Sequence, residues 1–372
     1  MEAFNDIFED CTSLGTKISK DNYLSEGKYI VVDQGQNIIA GYTNEEDGLY
    51  EDVPAIVFGD HTRIIKYVDE PFFLGADGVK LLKSKKKDAN YKYLYYALKN
   101  ARIPDTGYNR HFKWLKEVNI EYPEPDKQQK IVEVLDKISR VIEERKLELQ
   151  QLDELIKARF VEMFGDPVEN PKGYRVDTLQ DLIDAGDITY HLDGNHGGDY
   201  PRSEEFVSEG VPYIGANCIS NGEIDFSLAK YLTVERAGKL RKGIAQNEDV
   251  LFAHNATVGP TVVLHTTEPK VILSTSLTAY RCNKESIMPE YLATYMKSDG
   301  FVMQYSSEMK QTTRNQVPIT AQKKYLFLIP PMEEQKAFSE FVKQVDKSKV
   351  VVQKALDEAQ LLFDSLMQDY FG

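Results

Sequence analysis

Two stretches of the chain, residues 123–165 and 330–372, follow one sequence pattern. They separate the rest of the chain into two blocks, 1–122 and 166–329. Pro123 aligns with Pro330 and Phe164 with Phe371, without a gap, at an offset of 207 residues. Few positions are identical. Both stretches nevertheless begin with proline, acidic residues and glutamine, continue without a helix breaker, and end in Phe-Gly. We interpret them as two copies of one structural element.

Apolar residues recur in both stretches at steps of three and four, or at sums of these steps. Such spacing is typical of a long helix with one apolar face, as in a coiled coil. Neither helix can bury this face alone, so we expect the two copies to pair antiparallel. The predicted pairing residues are Leu135, Ile138, Ile142, Leu149, Leu152 and Ile156 in the first helix, and Phe341, Val345, Val352, Ala359, Leu362 and Leu366 in the second.

The spacing of the copies predicts four segments: a first domain (1–122), a first helix (123–165), a second domain (166–329) and a C-terminal helix (330–372). Both domains show the same order of short strands, one helix, a polar loop and a last strand. The strand candidates are 28–33, 54–58, 63–68 and 79–82 in the first domain, and 210–217, 249–254, 261–265 and 276–282 in the second. The predicted helices are 91–100 and 289–298. The sequence thus predicts an α+β chain, with two similar domains separated by an antiparallel pair of long helices around a pseudo-twofold axis.

Composition narrows the class of protein. The net charge of −14 argues against a lone, tight, non-specific DNA binder, but not against a recognition subunit inside a larger complex. The acidic N-terminus is unlike a signal peptide, and no stretch approaches 18 apolar residues. The three cysteines, Cys11, Cys218 and Cys282, lack metal-ligand spacing and favour reduced thiols. We therefore expect a cytoplasmic protein without a metal site.

Motifs for catalysis are missing from the sequence. No phosphate-binding Gly-x4-Gly-Lys-Ser/Thr loop is present, and the string Asn170-Pro171-Lys172-Gly173-Tyr174 lacks the second proline of an amino-methyltransferase motif. The triplet Glu144-Arg145-Lys146 lies on the first long helix, where a solvated charged face is expected. The sequence therefore favours recognition over catalysis.

The tandem layout resembles the specificity subunit of Type I restriction–modification systems. The residues that carry the resemblance are 210–222 (GVPYIGANCISNG), 249–259 (DVLFAHNATVG), 289–298 (PEYLATYMKS), and the two segments that lead into the long helices, 122–138 and 329–346. The resemblance covers essentially the full chain. In the first domain, the counterpart of GVPYIGAN is the less similar KYIVVDQGQN (28–37).

The resemblance implies a non-catalytic subunit in which each domain reads one half of a bipartite DNA target. It further implies that the long helices set the distance between the halves and dock two methyltransferase subunits. Those subunits would carry S-adenosylmethionine, so we expect no cofactor in this chain. Motor-nuclease subunits would join the complex to cleave unmodified DNA.

Side chains suited to contacting DNA cluster in two polar loops, each placed just before a long helix. Arg, Asn and Gln read base edges, Thr reads them less specifically, and Lys and Arg bind phosphates. The loop candidates are Thr106, Tyr108, Asn109, Arg110, His111 and Lys113 in the first domain, and Thr312, Thr313, Arg314, Asn315 and Gln316 in the second. The offset of 207 places Asn109 on Gln316. The alternative is that both are ordinary solvated loops.

A glycine-rich segment of the second domain, residues 191–202, adds further candidates, because glycines let a backbone approach a phosphate closely. The candidates are Asp193, Asn195, His196 and Arg202 in this segment, and Asn217, Asn255 and Thr257 at strand ends. A plain glycine-rich loop is the other interpretation.

Two rival functions stay open from the sequence. One is a coiled-coil scaffold for protein interactions without a DNA role, which the acidic charge favours. The other is the specificity subunit of a methylation or phage-defence system that has no motor.

Overall fold

The structure, a computed structural model, describes residues 1–75, 78–309 and 315–372, except for the side chains of residues 307 and 308. The chain divides into two compact units. Unit 1 comprises Met1–Leu147 and Gln353–Gly372, and unit 2 comprises Glu148–Val352. The division falls inside both long helices, whereas the sequence places each helix in a segment of its own. Those four boundaries stay predictions.

Among its described residues, unit 1 contains nine strands, three complete helices and parts of both long helices. The strands are β1 (Glu2–Ala3), β2 (Phe8–Asp10), β3 (Tyr29–Val32), β4 (Gly41–Thr43), β5 (Ala55–Gly59), β6 (Ile65–Val68), β7 (Phe72–Leu74), β8 (Val79–Ser84) and β9 (Asn119–Ile120). The helices are α1 (Phe4–Ile7), α2 (Tyr91–Lys99), α3 (Phe112–Leu115) and α4 (Pro125–Phe164). The last helix begins in unit 1 and ends in unit 2.

Unit 2 has more strands, but its central elements follow the same order. The strands are β10 (Arg175–Thr178), β11 (Ile188–Asp193), β12 (Phe206–Val207), β13 (Val211–Ile214), β14 (Ile219–Ser220), β15 (Glu223–Ile224), β16 (Lys230–Leu232), β17 (Ile244–Ala245), β18 (Val250–Ala253), β19 (Thr261–Val263), β20 (Val271–Leu273), β21 (Leu277–Cys282) and β22 (Leu326–Ile329). The helices are α5 (Leu179–Asp184), α6 (Val234–Gly238), α7 (Pro289–Tyr295), α8 (Asp299–Met309), α9 (Ile319–Gln322) and α10 (Met332–Phe371). None of the helices in the described part of the chain combines the length with the hydropathy that a membrane-spanning segment needs.

The sheets of the two units share one topology. A four-stranded antiparallel sheet has the order β2-β8-β5-β6 in unit 1 and β11-β21-β18-β19 in unit 2. In a second sheet, β3 lies parallel to β7 in unit 1, and β13 lies parallel to β20 in unit 2. The strand β3 is therefore the counterpart of β13, as the alignment of residues 28–37 with GVPYIGAN predicts. The α+β class and the tandem repeat are confirmed, and every predicted strand is present, although most are shorter than predicted.

A tyrosine joins each domain to the strand that leads into its long helix. The Tyr93 hydroxyl in α2 donates to the carbonyl oxygen of Glu121 at 2.7 Å. The Tyr291 hydroxyl in α7 donates to the carbonyl oxygen of Leu328 at 2.8 Å. Both rings are almost completely buried. Because the two acceptors lie 207 residues apart, the two joints occupy the same position in the repeat.

A buried glutamine in the first turn of each long helix makes a second matched joint. Gln128 Nε2 donates to the carbonyl oxygen of Pro123 at 2.7 Å, and Gln335 Nε2 donates to that of Pro330 at 2.9 Å. A buried amide must find such partners, because an unmade hydrogen bond there costs about 1–3 kcal/mol. The shared Gln of the two stretches thus has a structural reason.

The two long helices contact each other in unit 2 and run antiparallel there. The rings of Phe160 and Phe338 lie 5.5 Å apart, and Lys349 pairs with Asp153 at 2.5 Å. Contact partners therefore move toward the start of α4 as they move toward the end of α10. Of the predicted pairing residues in unit 2, Val345 and Val352 are buried, whereas Leu149, Leu152, Ile156 and Phe341 are half-buried.

In unit 1, the start of α4 and the end of α10 belong to one apolar core with the domain. Its members from the predicted stripes are Leu135, Ile138, Ile142, Ala359 and Leu366. Leu362 is a correction, because its side chain is 51% exposed. Phe363 and Met367 take the buried positions instead. A step of four from Ala359 reaches Phe363, whose larger ring packs 6.1 Å from Tyr96.

Candidate nucleic-acid interface

One edge of the four-stranded sheet in unit 2 gathers several predicted site residues. Here β11 ends at Asp193, which pairs with Thr278 near the start of β21. The strand β18 ends beside them, because Ala253 pairs with Leu277. The next residue, His254, donates its backbone N–H to the carbonyl oxygen of Ser276 at 3.0 Å. This edge carries the loops that follow β11 and β18.

The segment before α9 crosses the end of β18 and forms a short bridge with it. The Val317 N–H donates to the His254 carbonyl oxygen at 2.8 Å, and the Ala256 N–H donates to the Asn315 carbonyl oxygen at 2.9 Å. Asn255 and Gln316 are paired in this antiparallel bridge. Asn255 and Gln316 are half-buried, whereas Asn315 and the nearby Thr257 are exposed. The structure thus brings four predicted site residues, Asn255, Thr257, Asn315 and Gln316, into one cluster.

A buried hydrogen-bond network supports this cluster from below. Gln322 Oε1 accepts from the Tyr280 hydroxyl at 2.6 Å and lies 3.1 Å from His191 Nε2, while its Nε2 donates to Thr278 Oγ1 at 3.2 Å. Thr278 Oγ1 in turn lies 2.8 Å from His254 Nδ1. The network links β11, β21, the end of β18 and α9. It therefore fixes the strand end and the crossing segment relative to each other.

Burial keeps both histidines of the network neutral at pH 7. Desolvation lowers the pKa of His191 to about 4, and the hydrogen bond that its Nε2 donates to Gln322 Oε1 only partly offsets this effect. Desolvation also lowers the pKa of His254 to about 4, opposed by the charge of Asp193. A neutral, buried imidazole holds a scaffold in place and is poorly placed to contact a phosphate.

The glycine-rich segment after β11 has a more structural role than the sequence predicts. The prediction that Asn195 contacts DNA is corrected, because this residue is only 4% exposed. Its Nδ2 donates to the Lys242 carbonyl oxygen, and its Oδ1 accepts from the Lys242 N–H. Its neighbour Gly194 is required by space, since a Cβ there would lie 2.3 Å from the carbonyl carbon of Ser274. His196 and Arg202 are exposed, and His196 Nε2 lies 2.7 Å from Asp193 Oδ2.

Asn217 lies on an exposed turn tied to the same edge. The N–H of its neighbour Ala216 donates to Ser276 Oγ at 2.8 Å, and the Ser276 carbonyl accepts from His254. The turn follows β13, so the two sheets of unit 2 meet at this point. The remaining candidates of this unit, Thr312, Thr313 and Arg314, lie outside the described residues.

Unit 1 has the same arrangement at the end of β5. The Asp60 N–H donates to the Gly78 carbonyl oxygen at 2.7 Å, and the His111 N–H donates to the Asp60 carbonyl oxygen at 2.8 Å. These bonds match those of His254 with Ser276 and Val317. The match places Arg110, and not Asn109, on Gln316. The offset of 207 is therefore wrong by one residue in this loop, although it holds in the helices.

His111 is a further correction, because it belongs to the scaffold. It is 1% exposed, and its Nδ1 lies 3.0 Å from the Asp60 carbonyl oxygen, which can only accept. Nδ1 therefore carries the proton. Nε2 can accept a hydrogen bond from the Thr106 hydroxyl, whose oxygen lies 3.4 Å from it. The Asp60 carboxylate accepts the N–H of Phe112 at 2.7 Å, which holds the start of α3.

The exposed part of the unit 1 loop carries the remaining candidates. Tyr108 is 87% exposed, and its ring stacks on His61 with 4.6 Å between centroids. Asn109 is exposed, and its side chain donates to Thr106. Arg110 and Lys113 are also exposed. The sequence reasoning missed His61, which was detectable as the second residue after β5, where Asn255 follows β18.

The described residues hold no group of three His, Cys, Asp or Glu side chains that could bind a metal ion. The arrangement instead offers amides, a guanidinium, hydroxyls and an aromatic pair on loops that strand ends hold in place. Such groups can make paired hydrogen bonds with base edges and stacking contacts.

Comparison with known proteins agrees with this architecture. The profile of the Type I restriction modification DNA specificity domain matches residues 3–153 and 171–359. The EcoR124I/EcoR124II specificity subunit of Escherichia coli is 31% identical over 132 residues, which cover 32% of this chain and 33% of that protein. The MjaVIII specificity subunit of Methanocaldococcus jannaschii is 21% identical over 293 residues, covering 74% of this chain and 69% of that protein.

A solved structure, the S subunit of a Type I restriction–modification system from M. genitalium, has the same fold. It superimposes with a TM-score of 0.60 at 18% identity, covering 100% of this chain and 95% of the other. The two matched profile segments together include both domains and most of both long helices. As the sequence predicts, this chain belongs to the family of Type I restriction–modification specificity subunits, with two specificity domains in tandem.

Proposed function

We propose that this chain is the non-catalytic DNA-recognition subunit of a Type I restriction–modification complex, and that each domain reads one half of a bipartite target. One observation carries the proposal. In both units the same backbone bond, from His111 to Asp60 and from Val317 to His254, holds a polar loop against a strand end. The scaffold is therefore repeated, while the exposed side chains on it differ. Two different half-sites require this combination.

In unit 2 the side chains of the cluster are mostly amides. Asn and Gln pair with the two hydrogen-bonding positions of adenine in the major groove, and each good bidentate pair discriminates by about 1–3 kcal/mol. Asn255, Asn315 and Gln316 supply such groups within one bridge. We therefore assign them to base reading, with Thr257 beside them.

In unit 1 the equivalent positions carry different chemistry. Arg110, at the position of Gln316, suits guanine, to which a guanidinium donates two parallel hydrogen bonds. Lys113 supplies a phosphate contact. Tyr108, stacked on His61, supplies a flat aromatic surface. The two domains should therefore prefer different bases.

The acidic composition fits a subunit that binds DNA together with partners. A net charge of −14 argues against a chain that binds DNA tightly on its own. We propose that two methyltransferase subunits supply the missing charge, S-adenosylmethionine and the chemistry, and that motor-nuclease subunits complete the complex. The site of action would then be the cytoplasm.

Exposed apolar side chains on the long helices support partner docking. In unit 1 they are Val134, Val141, Leu147, Leu361 and Leu362, and in unit 2 they are Leu155, Val161, Val350 and Val351. Neighbouring apolar residues on a helix surface mark a face that a partner can cover. We propose that the methyltransferase subunits bind these faces and that the helices fix the spacer length.

The test uses the assembled complex and reads the target by mapping methylated adenines in cellular DNA. Replacing Asn255 and Gln316 by alanine should relax or abolish recognition of one half-site and leave the other unchanged. The matched control is Gln246→Ala, an exposed amide before the opposite end of β18. Changes in both half-sites, or none with the complex intact, would refute the assignment.

Exchange of the domains tests the modular part of the proposal. Replacing residues 166–329 by the corresponding domain of a related subunit should change one half-site only. Adding a heptad to α4 should change the number of unread bases between the half-sites. An unchanged spacer in a folded, active complex would contradict the role of the helices.

A further inference from the structure

An ion pair at the junction of each domain with its long helix has opposite polarity in the two units. In unit 1 Lys92 Nζ in α2 lies 2.6 Å from Asp136 Oδ2 in α4. In unit 2 Lys343 Nζ in α10 lies 3.3 Å from Glu290 Oε1 in α7. The domain carries the cation in unit 1 and the anion in unit 2.

The two pairs occupy the same place in the repeat. Lys92 precedes Tyr93 and Glu290 precedes Tyr291, the two tyrosines that make matched hydrogen bonds to the strands before the long helices. Asp136 and Lys343 lie 207 residues apart, the offset that aligns the long helices. Both members of the pair are therefore reversed together, so each unit keeps a matched pair.

The burial of the groups makes the polarity consequential. The Glu290 side chain is only 3% exposed, and among the described residues neither of its carboxylate oxygens accepts a hydrogen bond. Lys343 is its ion-pair partner, and a buried charge that loses its partner is strongly destabilising. In unit 1 the pair is more exposed, with Asp136 at 26% and Lys92 at 41%.

Asp136 also accepts a hydrogen bond from the Tyr96 hydroxyl at 2.7 Å, so its position is fixed. Its hydrogen bond with Lys92 raises the pKa of that lysine, which keeps the cation charged. Each helix thus offers a charge of defined sign to the domain that docks on it.

We propose that these two ion pairs select which long helix each domain docks on. If the second domain docked at the start of α4, Glu290 would face Asp136. If the first domain docked at the start of α10, Lys92 would face Lys343. Both arrangements place like charges together, within one chain or between two copies, whereas the native arrangement satisfies both pairs. The selection depends on the two junctions alone and not on what the protein binds.

The structure also ranks the two errors. A carboxylate as buried as Glu290, facing another carboxylate, is destabilised more than two lysines that reach solvent at about 40% exposure each. Docking of the second domain on the wrong helix is therefore excluded more strongly than docking of the first.

The experiment makes the two junctions alike without removing an ion pair. The variant Lys92→Glu/Asp136→Lys gives both domains an anion and both helices a cation. The control variant carries these changes together with Glu290→Lys/Lys343→Glu, so both pairs are reversed and remain different from each other. Each full-length protein is unfolded in urea, refolded by dilution, and compared by size-exclusion chromatography with the same protein that was never unfolded.

We expect wild type and the control variant to recover the native elution position to the same extent. The variant with like junctions should show a ratio of misassembled to native protein at least tenfold higher. A second variant, Glu290→Lys/Lys343→Glu alone, makes the junctions alike with the opposite polarity and should misassemble as well. Two outcomes would overturn the proposal: refolding of both like-junction variants as efficiently as wild type, or equal misassembly of the control variant.

Discussion

The two buried histidines of unit 2, His191 and His254, make its free energy of unfolding fall as the pH falls. The ordinary pKa of histidine is 6.5, and in the folded protein the values for His191 and His254 are about 4. As the pH falls below 6.5, the unfolded chain takes up protons that the folded chain refuses. The contribution of these two histidines to the stability of unit 2 is therefore complete above pH 6.5 and is lost progressively as the pH falls toward 4.

The size of the effect follows from the two pKa values. At pH 5 an unfolded histidine is almost fully protonated, whereas a folded one with a pKa of about 4 is mostly neutral. The linkage relation then gives about 2 kcal/mol for each histidine. Both side chains are buried, so solvent screening does not reduce this value. We expect a combined loss of about 4 kcal/mol between pH 7.5 and pH 5.

The assay compares wild type with the variant His191→Gln/His254→Asn. Glutamine at 191 keeps the donor that faces Gln322, and asparagine at 254 keeps an acceptor near Thr278. Urea unfolding followed by circular dichroism at both pH values gives the free energies. Hydrogen exchange of β11, β18 and β21 assigns the transition to unit 2. The variant should lose about 4 kcal/mol less than wild type between the two pH values.

An exposed histidine supplies the control. His265→Gln removes a solvent-exposed imidazole of the same unit and should leave the pH dependence of wild type unchanged. If wild type and the double variant lose the same free energy between pH 7.5 and pH 5, the two histidines are not held neutral by burial. The network would then tolerate protonated histidines in the folded state.

Three further outcomes are expected. Gln322→Leu leaves the buried Tyr280 hydroxyl without its acceptor and should lower the free energy of unfolding by about 3 kcal/mol. Adding Tyr280→Phe removes this hydroxyl and should restore part of the lost free energy. An unchanged free energy in urea unfolding would contradict the network. Tyr108→Ala removes an 87% exposed ring and should leave the melting temperature unchanged. DNA binding by the assembled complex should weaken about 5- to 100-fold, because a stacking contact is lost. Unchanged binding in a gel-shift titration would show that the ring does not contact DNA. Val351→Lys, at a 69% exposed position of α10, should reduce co-purification of the methyltransferase subunit without altering the circular dichroism spectrum. The control is Val234→Lys, which places the same change at a 72% exposed valine of α6. Equal recovery of the Val351→Lys variant and wild type would exclude this face as the docking surface.

The repeat and the long helices could be predicted from the sequence because their signals are local. A 40-residue helix with apolar residues at steps of three and four has few alternatives, and both α4 and α10 have this length. At Leu362 the periodicity alone does not decide which side chain is buried. Steps of three and four from Ala359 fit Leu362 and Phe363 equally, and only packing against the domain decides between them.

The candidate site was harder to predict, because its residues are assembled by long-range contacts. The sequence shows that Asn195 and His111 are polar and lie beside glycine or in a loop. It does not show that Lys242 and Asp60 bury them, since these partners lie 47 and 51 residues away in the chain. Their amide and imidazole groups therefore serve the scaffold. Asn255 and Gln316 were predicted separately, and only the isolated backbone bridge between their two segments makes them neighbours.

The tyrosine joints have a consequence for how such chains diversify. Tyr93 and Tyr291 both donate to a main-chain carbonyl, and a carbonyl is present whatever residue supplies it. The attachment of a domain to its long helix is thus unaffected by most substitutions at the residue that supplies the carbonyl. Selection can rewrite the exposed tips of either domain, generation after generation, while the same two anchors keep each tip aimed in its original direction.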